Sequence, residues 1–150
     1  MNIEGRHYRT IWPEGDGVMV IDQTRLPFAF AVRRLATMED AAEAISTMIV
    51  RGAPLIGATA AYGVALAMRA GASDALLDEA VRVLGATRPT AVNLHWALER
   101  MARVLRPLRA GERAGRAFAE ATRIADEDVE CCRSIGEHGA ALIRAACPWP

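Results

Sequence analysis

The sequence contains no lysine: all 18 of its basic residues are arginine, set against 18 acidic residues for a formal net charge of zero. That absence removes Schiff-base and lysine-base chemistry, so any anion held by a permanently charged side chain is held by a planar guanidinium fork. A GC-rich coding bias would produce the same composition. The even charge balance argues against a broad electrostatic footprint for nucleic acid or for an anionic membrane surface. Cysteine is scarce and odd in number, three residues with Cys131 and Cys132 adjacent, which does not resemble a secreted disulfide framework and fits a reduced, cytoplasmic chain. No zinc-ligand spacing appears, so no metal is expected. Residues 1–5 lack the charged and apolar regions of a secretory leader. The longest apolar run, residues 53–68, is interrupted by Gly57, Thr59 and Gly63 and is short for a bilayer span.

What is present has the size and composition of one soluble globular domain: 150 residues, 52% hydrophobic and 24% charged. Such a chain buries about two-thirds of its unfolded surface and needs neither disulfides nor a structural metal.

The first 36 residues read as strands. Tyr8 to Trp12, Val18 to Ile21 and Phe28 to Leu35 are rich in β-branched and aromatic residues, and the links Pro13–Gly17 and Asp22–Pro27 carry turn chemistry. A small antiparallel meander is expected, with one face packed on the rest of the chain because so few strands are not stable alone.

From Thr37 the period becomes helical. Thr37 is an N-cap followed by Glu39 and Asp40, with Ala41, Ala42, Ile45, Met48 and Ile49 as an apolar stripe. A second helix starts near Pro54, and its Gly57, Ala60, Ala61 and Val64 allow close approach of a neighbour, the mark of a buried central helix. A third, capped by Ser73, buries Leu76, Leu77, Ala80, Val81 and Leu84 and stops at Gly85. A fourth begins after Pro89, carries Val92, Leu94, Trp96, Ala97, Leu98, Met101 and Leu105 inward, and ends at Pro107. The last spans about Glu112 to Arg144, with Phe118, Ala121, Ile124, Ala125, Val129, Cys132, Ile135, Leu142 and Ile143 inward and Gly136 and Gly139 as interruptions. The fold class is therefore α+β, mainly α, with a β-meander at 1–36 and a bundle of about five helices at 37–147. The closing Cys147–Pro148–Trp149–Pro150 reads as an extended segment leading into a further element.

Two places share one physical logic. In Arg51–Gly52–Ala53–Pro54 the proline suits the first helical turn, and Gly52 lets a ligand approach the free N–H groups there. In Arg88–Pro89–Thr90–Ala91–Val92–Asn93 the Thr90 hydroxyl can cap the fourth helix with Arg88 just before it. Each sets a guanidinium beside the positive end of a helix, an arrangement suited to phosphate. The same residues could do no more than start two helices while the arginines face solvent, and spacing alone does not place the two loops side by side.

These residues carry a resemblance. Arg51–Gly57, continued by Ala60–Ala61–Tyr62–Gly63, is similar to a loop and helix of the methylthioribose-1-phosphate isomerases, and Arg88–Leu94 to their second substrate loop. Asp22–Gln23 with Leu26–Pro27 resembles the end of their N-terminal hairpin, and Ile135–Gly139 the close of their long helix. The resemblance implies an N-terminal domain, residues 1–150, preceding a Rossmann-like catalytic domain that would lie beyond Pro150 and bring the catalytic cysteine and aspartate. Arg51, Gly52, Ala53 and Arg88 then match substrate-binding positions near phosphate and ribose oxygens, and no catalytic residue falls in this chain. The implied reaction is an aldose–ketose isomerisation of 5-methylthioribose 1-phosphate in methionine salvage, without metal or organic cofactor, by a cytoplasmic homodimer. Phosphorylation at C1 blocks simple ring opening, so acid, base and phosphate grip are all required in a water-poor site.

Two other functions compete. The same superfamily includes the alpha, beta and delta regulatory subunits of translation initiation factor 2B, which act through protein contacts, and a sister isomerase would act on ribose 1,5-bisphosphate or 5-deoxyribose 1-phosphate. The two arginine loops favour a sugar-phosphate site over a regulatory module. Other candidates are bland: Cys131 and Cys132 read as inert mid-helix thiols with Cys132 buried, Cys147 as structural or incidental, His7 and His95 as surface or satisfied side chains, and His138 as helix packing. The series Arg100, Arg103, Arg106, Arg109, Arg113 and Arg116 reads as a solvated face, as does Asp126–Glu130.

Overall fold

The computed structural model describes residues 2–3 and 5–146; the Cys147–Pro150 ending lies outside them. A hairpin of β1 (Asn2–Ile3) and β2 (Arg6–His7) precedes a three-stranded antiparallel sheet of β3 (Ile11–Glu14), β4 (Gly17–Ile21) and β5 (Val32–Leu35), in the order β3-β4-β5. Then come α1 (Met38–Ser46), α2 (Ala53–Ala70), α3 (Asp74–Thr87), α4 (Val92–Leu105) and α5 (Ala110–Ala146). The α+β, mainly α architecture read from the sequence is the one observed.

The sheet differs from expectation in where its strands fall. The first meander strand is Ile11–Glu14, not Tyr8–Trp12, because the chain reverses at Gly15 and Asp16, with Gly15 at φ 59°. Pro13 is tolerated inside it because β3 is an edge strand, where a missing N–H faces away from the ladder. The third strand begins only at Val32: the Ala29 N–H donates to Arg25 O at 3.0 Å, bending residues 25–29 into a turn that leaves Phe28 95% exposed.

Helix α2 is the centre of the molecule and packs against the other four. Every residue from Leu55 to Met68 is buried, so the only described helix long and apolar enough to cross a membrane is the core helix of the bundle. Its glycines permit this. A β-carbon on Gly63 would meet Ala41 and Leu84 at 3.0 Å, so α1 and α3 lie closer to α2 than any larger residue would allow. Helix α1 begins with a capping box, Thr37 accepting from the Asp40 N–H while the Asp40 carboxylate accepts from that of Thr37.

The helical readings need correction in each helix but α2. Helix α3 does not stop at Gly85 but runs to Thr87, and Gly85 faces α4, where an added β-carbon would touch Leu98 at 3.6 Å. Leu76 and Val81 are only half-buried there. Thr90 does not cap α4: the Ala91 N–H turns back to Arg88 O at 3.0 Å, the helix starts one residue later, and Ala91 offers no side-chain acceptor. Val92 and Trp96 face outward, as does Met48 beyond the end of α1. Helix α5 passes through Gly136 and Gly139 uninterrupted, and its buried face ends at Ala125. Its 37 residues extend about 55 Å against about 27 Å for the 18 of α2; Val129 and Cys132 are exposed beside the bundle, and Ile135, Leu142 and Ile143, further along, are exposed as well.

Two polar readings also change. Arg113 is buried, not solvated: its guanidinium donates to Leu108 O, Ala72 O and Arg106 O and pairs with Asp74 at 2.5 Å, locking the loop before α5 to the start of α3. Arg100 is mostly buried as well, between the carboxylates of Glu120 and Glu127. Of the histidines, His95 is satisfied by Pro89 O at 2.9 Å, while His138 is exposed, with its Nδ1 against Ser134 O of its own helix.

Candidate functional site

The Arg51 loop is held from both sides. Its Nη2 donates to Gln23 O at 2.7 Å, while the Gln23 N–H donates to Ile49 O at 2.9 Å, so the 22–27 turn is tied against the residues entering α2. Gly52 is the N-cap at φ 94°, a left-handed conformation that favours glycine, and a β-carbon there would meet nothing within 4 Å. The loop is thus open at Gly52. Ala53 opens the helix, Pro54 has no N–H to offer, and the Ile56 N–H is already donated to Gly52 O at 3.0 Å. The amides of Ala53 and Leu55 are the ones left without an intrahelical acceptor. Among the described residues no side chain caps this end and its first turn carries no acidic residue to offset the partial positive charge there.

Arg88 is the C-cap of α3 and precedes α4 by three residues. Among the described residues its guanidinium has no partner, and α4 too begins without a side-chain cap.

The packing of glycine brings the two helix starts together. Gly57, in the second turn of α2, lies so close to α4 that a β-carbon would stand 2.8 Å from Asn93 O and 3.5 Å from Ala97 Cβ. The two arginine loops therefore open at adjoining uncapped N-termini, a relation that spacing in the sequence leaves open.

Beside these starts lies a cleft of ≈ 280 Å³, lined by Pro54 and Gly57 of α2, Asn93 and Trp96 of α4, and Ile124, Glu127, Asp128 and Cys131 of α5. Arg51, Gly52, Ala53 and Arg88 do not line it. Sequence reasoning missed Trp96, Ile124, Asp128 and Cys131 as site residues. A signal existed: Ile124, Glu127, Asp128 and Cys131 recur at the i, i+3, i+4, i+7 spacing of one helix face, and Asn93 and Trp96 at i, i+3 of another. The burial expected of Cys132 is not observed: both Cys131 and Cys132 are exposed.

Behind Trp96 is an ionic network. Arg100 sits over the Trp96 ring, 5.3 Å from its centroid, and binds Glu120 at 2.7 Å and both carboxylate oxygens of Glu127. Glu120 is 1% exposed and also takes Arg123 at 2.8 Å. Burial by itself would raise the Glu120 carboxyl, but hydrogen bonds from Arg100 and Arg123, with their charges, bring it below the usual carboxylate value. The hydrogen bonds from Arg100 lower Glu127 likewise.

The chain is 68% identical over 145 residues to the methylthioribose-1-phosphate isomerase of Methylobacterium nodulans, covering 95% of this chain and 40% of that protein. It is 56% identical over 146 residues to the Escherichia coli protein of the same name, covering 96% and 39%. The chain thus spans about two-fifths of the length of these relatives. The solved 5-methylthioribose 1-phosphate isomerase of Pyrococcus horikoshii superposes with a TM-score of 0.82 at 39% identity, over 89% of this chain and 40% of that one. Translation initiation factor eIF-2B subunit delta of A. fulgidus does so with 0.83 at 40% identity, over 91% and 42%. A family model described as the initiation factor 2 subunit family matches residues 49–146, from the Arg51 loop to the end of α5, and the chain belongs to that family.

Proposed function

We propose that the full-length protein isomerises 5-methylthioribose 1-phosphate to 5-methylthioribulose 1-phosphate, an aldose–ketose conversion in methionine salvage, and that this chain supplies the phosphate grip. The observation that carries the reading is the convergence of two arginine-flanked, uncapped helix starts through the Gly57–Asn93 contact. Helix N-termini and guanidinium forks are the two protein devices best matched to a phosphate dianion. In this reading Arg51 and Arg88 hold phosphate oxygens, the Ala53 amide donates a further hydrogen bond, and Gly52 keeps the approach clear. The isomerase names of the relatives at 56–68% identity support it. The acid and base fall to a Rossmann-like domain following residue 150, and the protein works in the cytoplasm as a homodimer without metal or organic cofactor.

A regulatory module akin to the initiation factor 2B subunits is the second reading, favoured by the A. fulgidus likeness. Incubating the full-length gene product with 5-methylthioribose 1-phosphate and following the product by NMR separates them. Conversion to the ketose supports the isomerase; a correctly folded protein that leaves the sugar unchanged sinks it.

A further inference from the structure

We propose that the cleft between α2, α4 and α5 receives the uncharged 5-substituent of the sugar phosphate, with Trp96 as the residue that selects a thioether there. The inference rests on the isomerase reading and assigns its specificity, which the arginine loops do not explain.

The cleft and the loops have opposite chemistry. No arginine lines the cleft, and two carboxylates, Glu127 and Asp128, stand on its α5 wall, so it is a poor place for a second phosphate. Of its other lining residues Pro54, Gly57, Trp96 and Ile124 are apolar or small, and Asn93 and Cys131 are polar but uncharged side chains. It begins at Pro54, one residue after the amide assigned to the phosphate. A ligand anchored by its anion on the loops has its neutral end to dispose of, and this is the apolar space beside them.

Trp96 suits a thioether in particular. It is 46% exposed although aromatic, and it borders both this cleft and the neighbouring one that contains Arg100. Arg100 lies over the ring and is itself fixed by Glu120 and Glu127, so the indole is held in place before any ligand arrives. A polarisable sulfur gains from contact with an aromatic ring where a hydroxyl or phosphoryl group does not. Asn93 and Asp128 add polar groups within the same walls that suit sugar hydroxyls.

The test compares kcat/KM of the full-length protein for 5-methylthioribose 1-phosphate and for 5-deoxyribose 1-phosphate, which lacks only the methylthio group. The unaltered protein should prefer the thioether, and Trp96→Ala should cut that preference by at least about tenfold, the scale set by apolar contacts in specificity pockets. Cys131→Phe narrows the same cleft from an exposed position, so it decides the matter should Trp96→Ala fail to fold; it too should depress the thioether selectively. An unchanged substrate ratio in both variants overturns the inference, as does faster turnover of ribose 1,5-bisphosphate than of the thioether. Inactivity of the unaltered protein on both substrates brings down the isomerase reading itself, a different result from an active enzyme whose preference ignores Trp96.

Discussion

Gly57 packs directly on the carbonyl oxygen of Asn93: a β-carbon at Gly57 would stand 2.8 Å from that oxygen, closer than real side chains come. The contact sets the distance between α2 and α4, and with it the distance between the loops that precede them. Glycine inside a helix ordinarily costs about 1 kcal/mol relative to alanine. Gly57→Ala should nonetheless destabilise, by about 1–3 kcal/mol, because the neighbour to be displaced is backbone and cannot rotate away. Thermal unfolding should show a fall of roughly 2–4 °C per kcal/mol lost. A rise in Tm would mean that the two helices are not in contact.

Arg51 and Arg88 should separate in their effects. Arg51 carries a hydrogen bond to Gln23 O, so Arg51→Ala should lower stability by about 0.5–1.5 kcal/mol in addition to its effect on substrate. Arg88 has no such bond among the described residues, and Arg88→Ala should leave the melting temperature in place. In the full-length enzyme each change should weaken substrate binding by about 1.5–3 kcal/mol, the scale of a hydrogen bond to a charged group. Calorimetric titration with the sugar phosphate measures this, and unchanged affinity in both variants removes the phosphate assignment.

Much of this was legible in the sequence because it is written in local rules. Thr37 and Ser73 are caps by residue type, Pro54 fits a first turn, and the small residues of α2 mark it as the helix that others approach. The positions of Arg51, Gly52, Ala53 and Arg88 at helix ends were likewise legible, while their role in binding substrate is a proposal. Two things were not. Periodicity along α5 is the same where the helix is covered and where it runs free, so the pattern does not reveal that cover ends at Ala125. The cleft is built from faces of α2, α4 and α5, and the pattern of no single helix reveals that the Gly57–Asn93 approach sets α2 against α4 beside α5. Arg113 looked like one of a solvated row because three of its acceptors are backbone carbonyl groups, which leave no trace in residue type, and the fourth, Asp74, is 39 residues away in the chain.

Met48 adopts φ 64°, a left-handed conformation unfavourable for a residue with a side chain, in the loop between α1 and α2. Its side chain is 45% exposed, so little burial offsets the strain. Met48→Gly should therefore raise stability by about 1 kcal/mol, while the β-branched Met48→Val should lower it. Chemical denaturation of the two variants beside the parent gives the order. If glycine proves the less stable, the strain is not where the backbone places it.

The buried carboxylate of Glu120 makes stability depend on acid. Its folded pKa lies below the reference value of 4.5, as does that of Glu127, because arginines bind the ionised forms. The unfolded chain binds protons first as pH falls, so the contribution of the network is complete above about pH 5 and is lost as the pH drops through 4.5 and then through the folded values. Urea unfolding between pH 6 and pH 3 should show this decline, and Glu120→Gln should flatten part of it. Arg100→Ala should be the costlier change at neutral pH, about 3 kcal/mol or more, since it leaves Glu120 buried with only the half-exposed Arg116 and Arg123 as cations. It also frees the Trp96 ring, so the thioether preference should fall with it. Loss of stability without loss of that preference would show that Arg100 holds the bundle but does not position the indole.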